Sequence, residues 1–268
     1  MLVGRALKDR RDKALISVKY GGLRAPDGSF LGHDMSPNGT KNFLAHTLSR
    51  LGVEYIDIYR PARLDPHVPI EDTIGAIAEM VTAGYVRHIS LSEVGADTIR
   101  RAAKVHPIID LQIEYSMISR KPEEKIFPAL GELGIGVTAY GVLARGQLAG
   151  SKPKSAADFR AHAPRFSGEN AEKNQKLVDA LARFAAERNA KPAQVAIAWA
   201  RAKGLAQGVN IVPLLGCRTR AQLADALSGL DITLSPADVA ALEAAVPASE
   251  VAGPRYAQAM MDHLDSEK

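Results

Sequence analysis

Residues 55–116 read YIDIYRPARLDPHVPIEDTIGAIAEMVTAGYVRHISLSEVGADTIRRAAKVHPIIDLQIEYS. Three runs rich in β-branched and apolar residues, 55–63, 87–93 and 108–116, are separated by stretches at 71–84 and 95–105 with the three-to-four residue apolar repeat of helices. Strand, helix, strand, helix, strand in this order is the pattern of βα units stacked on a parallel sheet. The rhythm continues outward in both directions, with further strands expected at 13–21, 136–143 and 210–216, six in all. Further helices are expected at 37–51, 122–133, 170–189, 192–203 and 219–227. Pro37, Pro69 and Pro192 stand at or near first helical turns, where a missing N–H costs nothing. Neither GxGxxG nor GxxxxGK[ST] follows any strand, so the usual Rossmann and P-loop phosphate cradles are absent. That favours an α/β fold of the (β/α)8 TIM-barrel type over a doubly wound sheet.

The 268 residues suit one barrel domain spanning 1–268, since such barrels run to about 250 residues without splitting. No internal repeat and no linker divides them. With 46% hydrophobic and 24% charged residues the composition is that of an ordinary globular chain. A net charge of +4 raises nucleic acid as a partner, but Lys and Arg are scattered and no nucleic-acid-binding signature accompanies them. A basic surface around an anionic cofactor or substrate explains the charge as well. No apolar stretch reaches the length of a membrane span. A single cysteine, Cys217, excludes an internal disulfide and a thiolate metal cluster. The charged start MLVGRALKDRRDK is unlike a secretory signal, and the chain reads as cytoplasmic. It reads also as the end of an amphipathic helix that has no cap before it.

Residues 22–35 and 144–169 are long, rich in Gly, Pro, Ser and charge, and follow strand ends. In a barrel such loops build the active site, so both are candidates for covering a ligand. From Val246 the tail is expected to wrap the barrel or fray.

Polar residues recur at strand ends. Lys19 stands near the end of ALISVKYGG, on one face with Ser17. A buried lysine is costly unless paired or functional, although alternation also allows it to point outward or to snorkel. Ser92 and Glu93 close SLSE, Gln112 and Glu114 punctuate DLQIEYS, and Tyr140 closes VTAY. Singly, each is explained by a satisfied core hydrogen bond. Together they would converge on one pocket, with polar groups to orient a ligand and an aromatic face for a planar ring. The last strand runs through Gly216 into a helix start bearing Arg218, Thr219 and Arg220, where backbone N–H groups and guanidinium suit a phosphate. A merely solvated helix start fits those residues too.

Six blocks in order, LVGRALKDRRDKALISVKYG, LSRLGVEYIDIYR, DPHVPIEDTIGAIAEMVTAGYVRHISLSE, LQIEYS, AYGVLARGQLAG and IVPLLGCRTRAQLADAL, resemble successive motifs of the aldo-keto reductases. The resemblance covers essentially the whole chain. It implies a TIM barrel, NADPH held without a Rossmann fold, and hydride transfer to a small aldehyde or ketone. Lys19 matches the catalytic lysine, which lowers the pKa of a tyrosine general acid. Ser92 and Gln112 match the residues that hold the nicotinamide carboxamide, and Tyr140 matches the aromatic beneath the nicotinamide. Leu143, Arg145 and Gly146 match the loop over the pyrophosphate. Arg218 and Thr219, with Gln222 and Asp225, match the segment that grips the 2′-phosphate and adenine.

The departures are as informative. Ala62 stands where the family has its catalytic histidine, Ala226 replaces an adenine-contacting asparagine, and Gly141-Val142 replace serine and proline after the stacking tyrosine. The resemblance begins inside the family's second barrel helix, so the chain reads as N-terminally truncated, without two strands and the loop of the catalytic aspartate and tyrosine. Six strands of eight would leave open edges that favour self-association. The expected activity is NADPH-dependent carbonyl reduction; the alternative is a catalytically weak NADPH-binding or regulatory relative that lacks the general acid.

Overall fold

The computed structural model describes residues 2–268. They group into two compact units, the first reaching from the chain start to Gln112 with Leu264–Ser266 and Lys268, the second Ile113–His263 with Glu267. Six strands form a parallel sheet.

In the first unit a short exposed helix α1 (Leu2–Leu7) leads into β1 (Ser17–Tyr20). β1 is shorter than the expected 13–21 because Arg11–Lys13 close a 3-10 turn. Residues 22–35, expected as an open loop, instead make a hairpin of β2 (Gly22–Arg24) and β3 (Phe30–His33). Its turn is Asp27-Gly28, with Gly28 at φ 86 and Asp27 Oδ1 accepting from the Ser29 N–H at 2.9 Å. Asp-Gly supplies the left-handed backbone that such turns require.

Helix α2 (Pro37–Leu51) starts where expected: Ser36 Oγ accepts from the Gly39 N–H at 3.0 Å, and Pro37 opens the first turn. β4 (Ile56–Pro61), α3 (Ile70–Thr82), β5 (Val86–Ser92), α4 (Ala96–Val105) and β6 (Ile108–Glu114) complete the alternation. Parallel pairing joins β1 to β4, β4 to β5 and β5 to β6. Ile56, Tyr59, Ile74, Ile77, Ile89, Leu91 and Ile99 are fully buried among these elements.

The second unit carries α5 (Pro122–Leu133), β7 (Gly136–Tyr140), α6 (Gly168–Ala186), α7 (Pro192–Ala206), β8 (Ile211–Pro213) and α8 (Arg220–Ser228). β7 pairs in parallel with β8. Tyr115, Phe127 and Trp199 form its aromatic centre, with Tyr115 and Trp199 stacked 5.4 Å apart. Residues 144–169 fold into three short 3-10 turns rather than an open loop.

The tail does not fray. Helix α9 (Pro236–Ala245), opened by a Ser235–Asp238 capping box, leads into it, and it carries a four-residue α10 (Gln258–Met261). In the first unit Asp265 Oδ2 accepts from the Gly95 N–H and the Thr98 hydroxyl at 2.8 Å each, capping α4. No helix among the described residues is long and apolar enough to cross a membrane.

Candidate active site

Strand alternation sorts the first unit's side chains onto two faces. Tyr20 and Tyr59 stack 4.1 Å apart on the helix side, where the Tyr20 hydroxyl meets Thr40 Oγ1 and the Tyr59 hydroxyl donates to the Thr40 carbonyl. Burial pushes both phenols above their ordinary range, which makes them poor acids at neutral pH. The other face is polar. It carries Lys19 on β1, Arg60 on β4, Ser90 and Ser92 on β5, and Asp110 and Gln112 on β6.

Lys19 is the register partner of Arg60. Arg60 is 2% exposed; its Nη2 donates to both Asp110 carboxylate oxygens, at 2.9 and 2.7 Å, and its Nε donates to Ser90 Oγ at 2.8 Å. Lys19 keeps surface open to solvent, yet its pKa is lowered, first by desolvation, then by Arg63 and Arg60, with Glu93 opposing. Glu93 is fully buried and left-handed at φ 54. Its Oε2 accepts from the Ser266 hydroxyl at 2.6 Å, and its N–H donates to the Gln112 carbonyl at 3.0 Å. Ser92, the last residue of β5, is the register partner of Gln112, two residues before the end of β6. Ser92 Oγ and Gln112 Oε1 are buried without a hydrogen-bond partner among the described residues.

The second unit holds the remaining candidates. Tyr140 ends β7, and its hydroxyl lies 3.1 Å from the Tyr256 hydroxyl. Leu143 precedes a turn in which Ala144, Arg145 and Gly146 all have positive φ, at 47, 57 and 91°. Arg145 is held inside the unit: its Nη1 donates to the Arg255 carbonyl at 2.8 Å, and its guanidinium lies 4.5 Å from the centre of the Tyr256 ring. Gly216 lies between β8 and α8, where an added Cβ would meet nothing within 4 Å. Thr219 caps α8, its hydroxyl accepting from the Gln222 N–H, while Gln222 Oε1 accepts from the Arg218 N–H at 2.8 Å. Arg218 itself is exposed. Asp225 takes Lys191 Nζ at 2.5 Å.

Several residues escaped the sequence reading. Arg60, Asp110 and Ser90 form a buried network whose only sequence signal is the period-two placement of Asp110, Gln112 and Glu114 in IIDLQIE. The Glu93–Ser266 contact joins positions 173 residues apart and had no such signal.

The model of the Aldo/keto reductase family matches residues 1–247. The chain belongs to the aldo/keto reductase family. It is 39% identical to the probable aldo-keto reductase 1 of Glycine max over 98% of its own length and 76% of that protein. It is 36% identical to aldo-keto reductase yakc [NADP(+)] of Schizosaccharomyces pombe, over 95% of this chain and 76% of that one. Among solved structures, the glycerol dehydrogenase AKR11B4 from Gluconobacter oxydans superposes with a TM-score of 0.84 at 24% identity, covering 94% of this chain and 78% of the other. The thermostable aldo-keto reductase Tm1743 gives 0.71 at 24% identity, covering 91% and 76%. The fold is therefore the (β/α)8-barrel class expected from the βα rhythm.

The family uses nicotinamide cofactors on small carbonyl compounds. The residues present fit such a group. A carboxamide offers both a donor and an acceptor, and the two paired strand ends of the first unit present a hydroxyl and an amide oxygen with no partner of their own.

Proposed function

We propose that this aldo/keto reductase reduces an aldehyde or ketone with NADPH, using Lys19 as the group that meets the developing oxyanion. The observation that carries the reading is the pair of unpartnered buried atoms, Ser92 Oγ and Gln112 Oε1, on the same sheet face as a lysine whose pKa is lowered. When bound, the cofactor supplies the hydride. Ser92 and Gln112 orient its carboxamide, Tyr140 gives its ring a flat face, Leu143, Arg145 and Gly146 cover its pyrophosphate, and Arg218, Thr219, Gln222 and Asp225 line the adenosine end. Lys19 stabilises charge on the carbonyl oxygen and, with its lowered pKa, holds a more acidic proton than an ordinary ammonium does. The relative from Schizosaccharomyces pombe carries NADP(+) in its name, which supports the choice of cofactor. Incubating the chain with NADPH and an activated aldehyde such as 4-nitrobenzaldehyde, and following NADPH absorbance, tests the reading; absence of both cofactor binding and oxidation rejects it.

Preference for NADPH over NADH is expected to reside at the start of α8, which bears Arg218 and Arg220 and has no acidic residue in its first turn. Arg218→Ala should weaken NADPH by roughly ten- to a hundredfold, the worth of one charged hydrogen bond, and leave NADH nearly unchanged. Titration against the single tryptophan, Trp199, reads this directly, and equal losses for both nucleotides would remove the 2′-phosphate assignment.

At the other end of the cofactor, Tyr140→Ala should lower NADPH affinity by only about tenfold, since alanine cannot replace the dispersion and buried area of an aromatic face. Adenosine 2′,5′-bisphosphate should bind as before. Equal losses for fragment and cofactor would make Tyr140 a structural residue only.

A further inference from the structure

Within the second unit, five charged groups gather about the turn that follows Tyr140. Glu114, the last residue of β6, is 5% exposed. Its Oε2 lies 3.6 Å from Arg145 Nη2 and 3.5 Å from Arg255 Nη1. Its Oε1 accepts from the Ser119 hydroxyl at 3.1 Å, and Ser119 Oγ in turn accepts from Arg165 Nη1 at 2.8 Å. Arg255 also donates from Nε to Glu267 Oε1 at 2.8 Å. Two guanidinium groups thus contact Glu114 directly and a third is linked to it through Ser119, and Glu114 is the carboxylate that faces the turn.

The turn needs such an anchor. Ala144 and Arg145 are left-handed, a conformation that residues with a Cβ adopt only when their surroundings hold them there. Glu114 holds the turn through Arg145 and packs close to Gly141. It faces the Arg145 guanidinium, and its Cγ would stand 3.0 Å from a Cβ added at Gly141, which is itself at φ +66°. Its positive φ and the nearby Glu114 side chain both favour glycine at 141. Arg255 reaches the same carboxylate from the segment before α10, and Arg165, from the loop before α6, is linked to it through the Ser119 hydroxyl.

We propose that Glu114 is a positioning residue for the cofactor-covering turn Ala144–Gly146, fixing Arg145 in the geometry that closes over the pyrophosphate and so setting how long NADPH is retained. The proposal rests on the reading of Leu143, Arg145 and Gly146 as that cover. Without the carboxylate the three guanidinium groups repel one another in a poorly solvated place, and the left-handed turn relaxes.

Two measurements on the full chain test this. In a stopped-flow displacement experiment, Glu114→Gln should release NADPH roughly ten- to a hundredfold faster than the unmodified chain, the loss of one charged contact. Glu114→Asp should fall between them, and affinity for adenosine 2′,5′-bisphosphate should be the same in all three. Without any nucleotide, trypsin should cut Glu114→Gln faster after the exposed Lys154. Arg145→Gln removes the same contact from its other partner and should show the same faster cutting, even if Glu114→Gln fails to fold. An unchanged NADPH release rate in Glu114→Gln overturns the proposal alone, as does parallel loss of the bisphosphate, which would mark a merely structural role. Failure of the unmodified chain to bind NADPH overturns the cofactor reading and this proposal with it.

Discussion

Asp110→Ala is expected to destabilise the protein by about 3–5 kcal/mol, because it strands the Arg60 guanidinium in a place with no water to replace the carboxylate. Arg60 is 2% and Asp110 8% exposed, and the two bonds from Arg60 Nη2 to the carboxylate are both shorter than 3.0 Å. At ordinary urea sensitivities this corresponds to a midpoint lower by roughly 1–3 M, followed by far-ultraviolet circular dichroism. Replacing both partners by apolar residues of similar volume, Arg60→Met with Asp110→Leu, should recover most of the loss, since no charge is then left unpaired. The exposed pair Arg101–Glu71 is an internal control. Its Arg101 Nη2–Glu71 Oε2 distance is 2.6 Å, as short as any in the buried pair, but the side chains are 51% and 41% exposed, so Arg101→Ala should cost no more than about 1 kcal/mol. An Asp110→Ala loss no larger than that of the control would show that water reaches Arg60 and that the network is a surface feature.

The contrast between these two pairs explains what the sequence disclosed. Periodicity reports which residues share a face, and it placed Lys19, Ser92 and Gln112 on strand ends at the correct positions. Helices α2 and α5 have the expected bounds because Pro37 and Pro122 mark their starts and Gly52 and Gly134, left-handed C-caps, mark their ends. The expected strands run past the observed ends at 141–143 and 214–216, where apolar residues continue after the ladder stops. The Asp27-Gly28 turn was legible in principle, but the surrounding Pro, Gly and Ser were read as loop composition. What a face meets across the fold is a different matter. Nothing in IYRPAR shows that Arg60 is paired rather than solvated, and nothing in LDSEK shows that Asp265 caps α4. Lys19 shows the same limit. Its position is readable, whereas its acidity depends first on burial and then on Arg63 and Arg60, about forty residues further along the chain.

That acidity makes a strong prediction about turnover. An ordinary lysine ammonium is a weak acid at neutral pH. Burial first, and then the fields of Arg63 and Arg60, lower the Lys19 pKa from 10.5, with Glu93 opposing. The group is thus a better proton donor than an ordinary lysine. In the NADPH-dependent reduction proposed above, Lys19→Met should reduce kcat/KM by about 10²–10⁴-fold, the usual worth of a positioned acid and oxyanion partner. NADPH affinity should change little. The sign of the pH dependence follows from the lowered pKa: activity is full while the ammonium is protonated and falls as pH rises, with an alkaline limb below 10.5. Arg63→Gln removes the larger of the two cationic fields and should move that limb to higher pH. Lys19→Arg keeps a charge that does not titrate, so it should retain part of the activity and flatten the limb. A limb that persists unchanged in Lys19→Arg would assign the titration to another group, and full activity in Lys19→Met would remove Lys19 from the chemistry altogether.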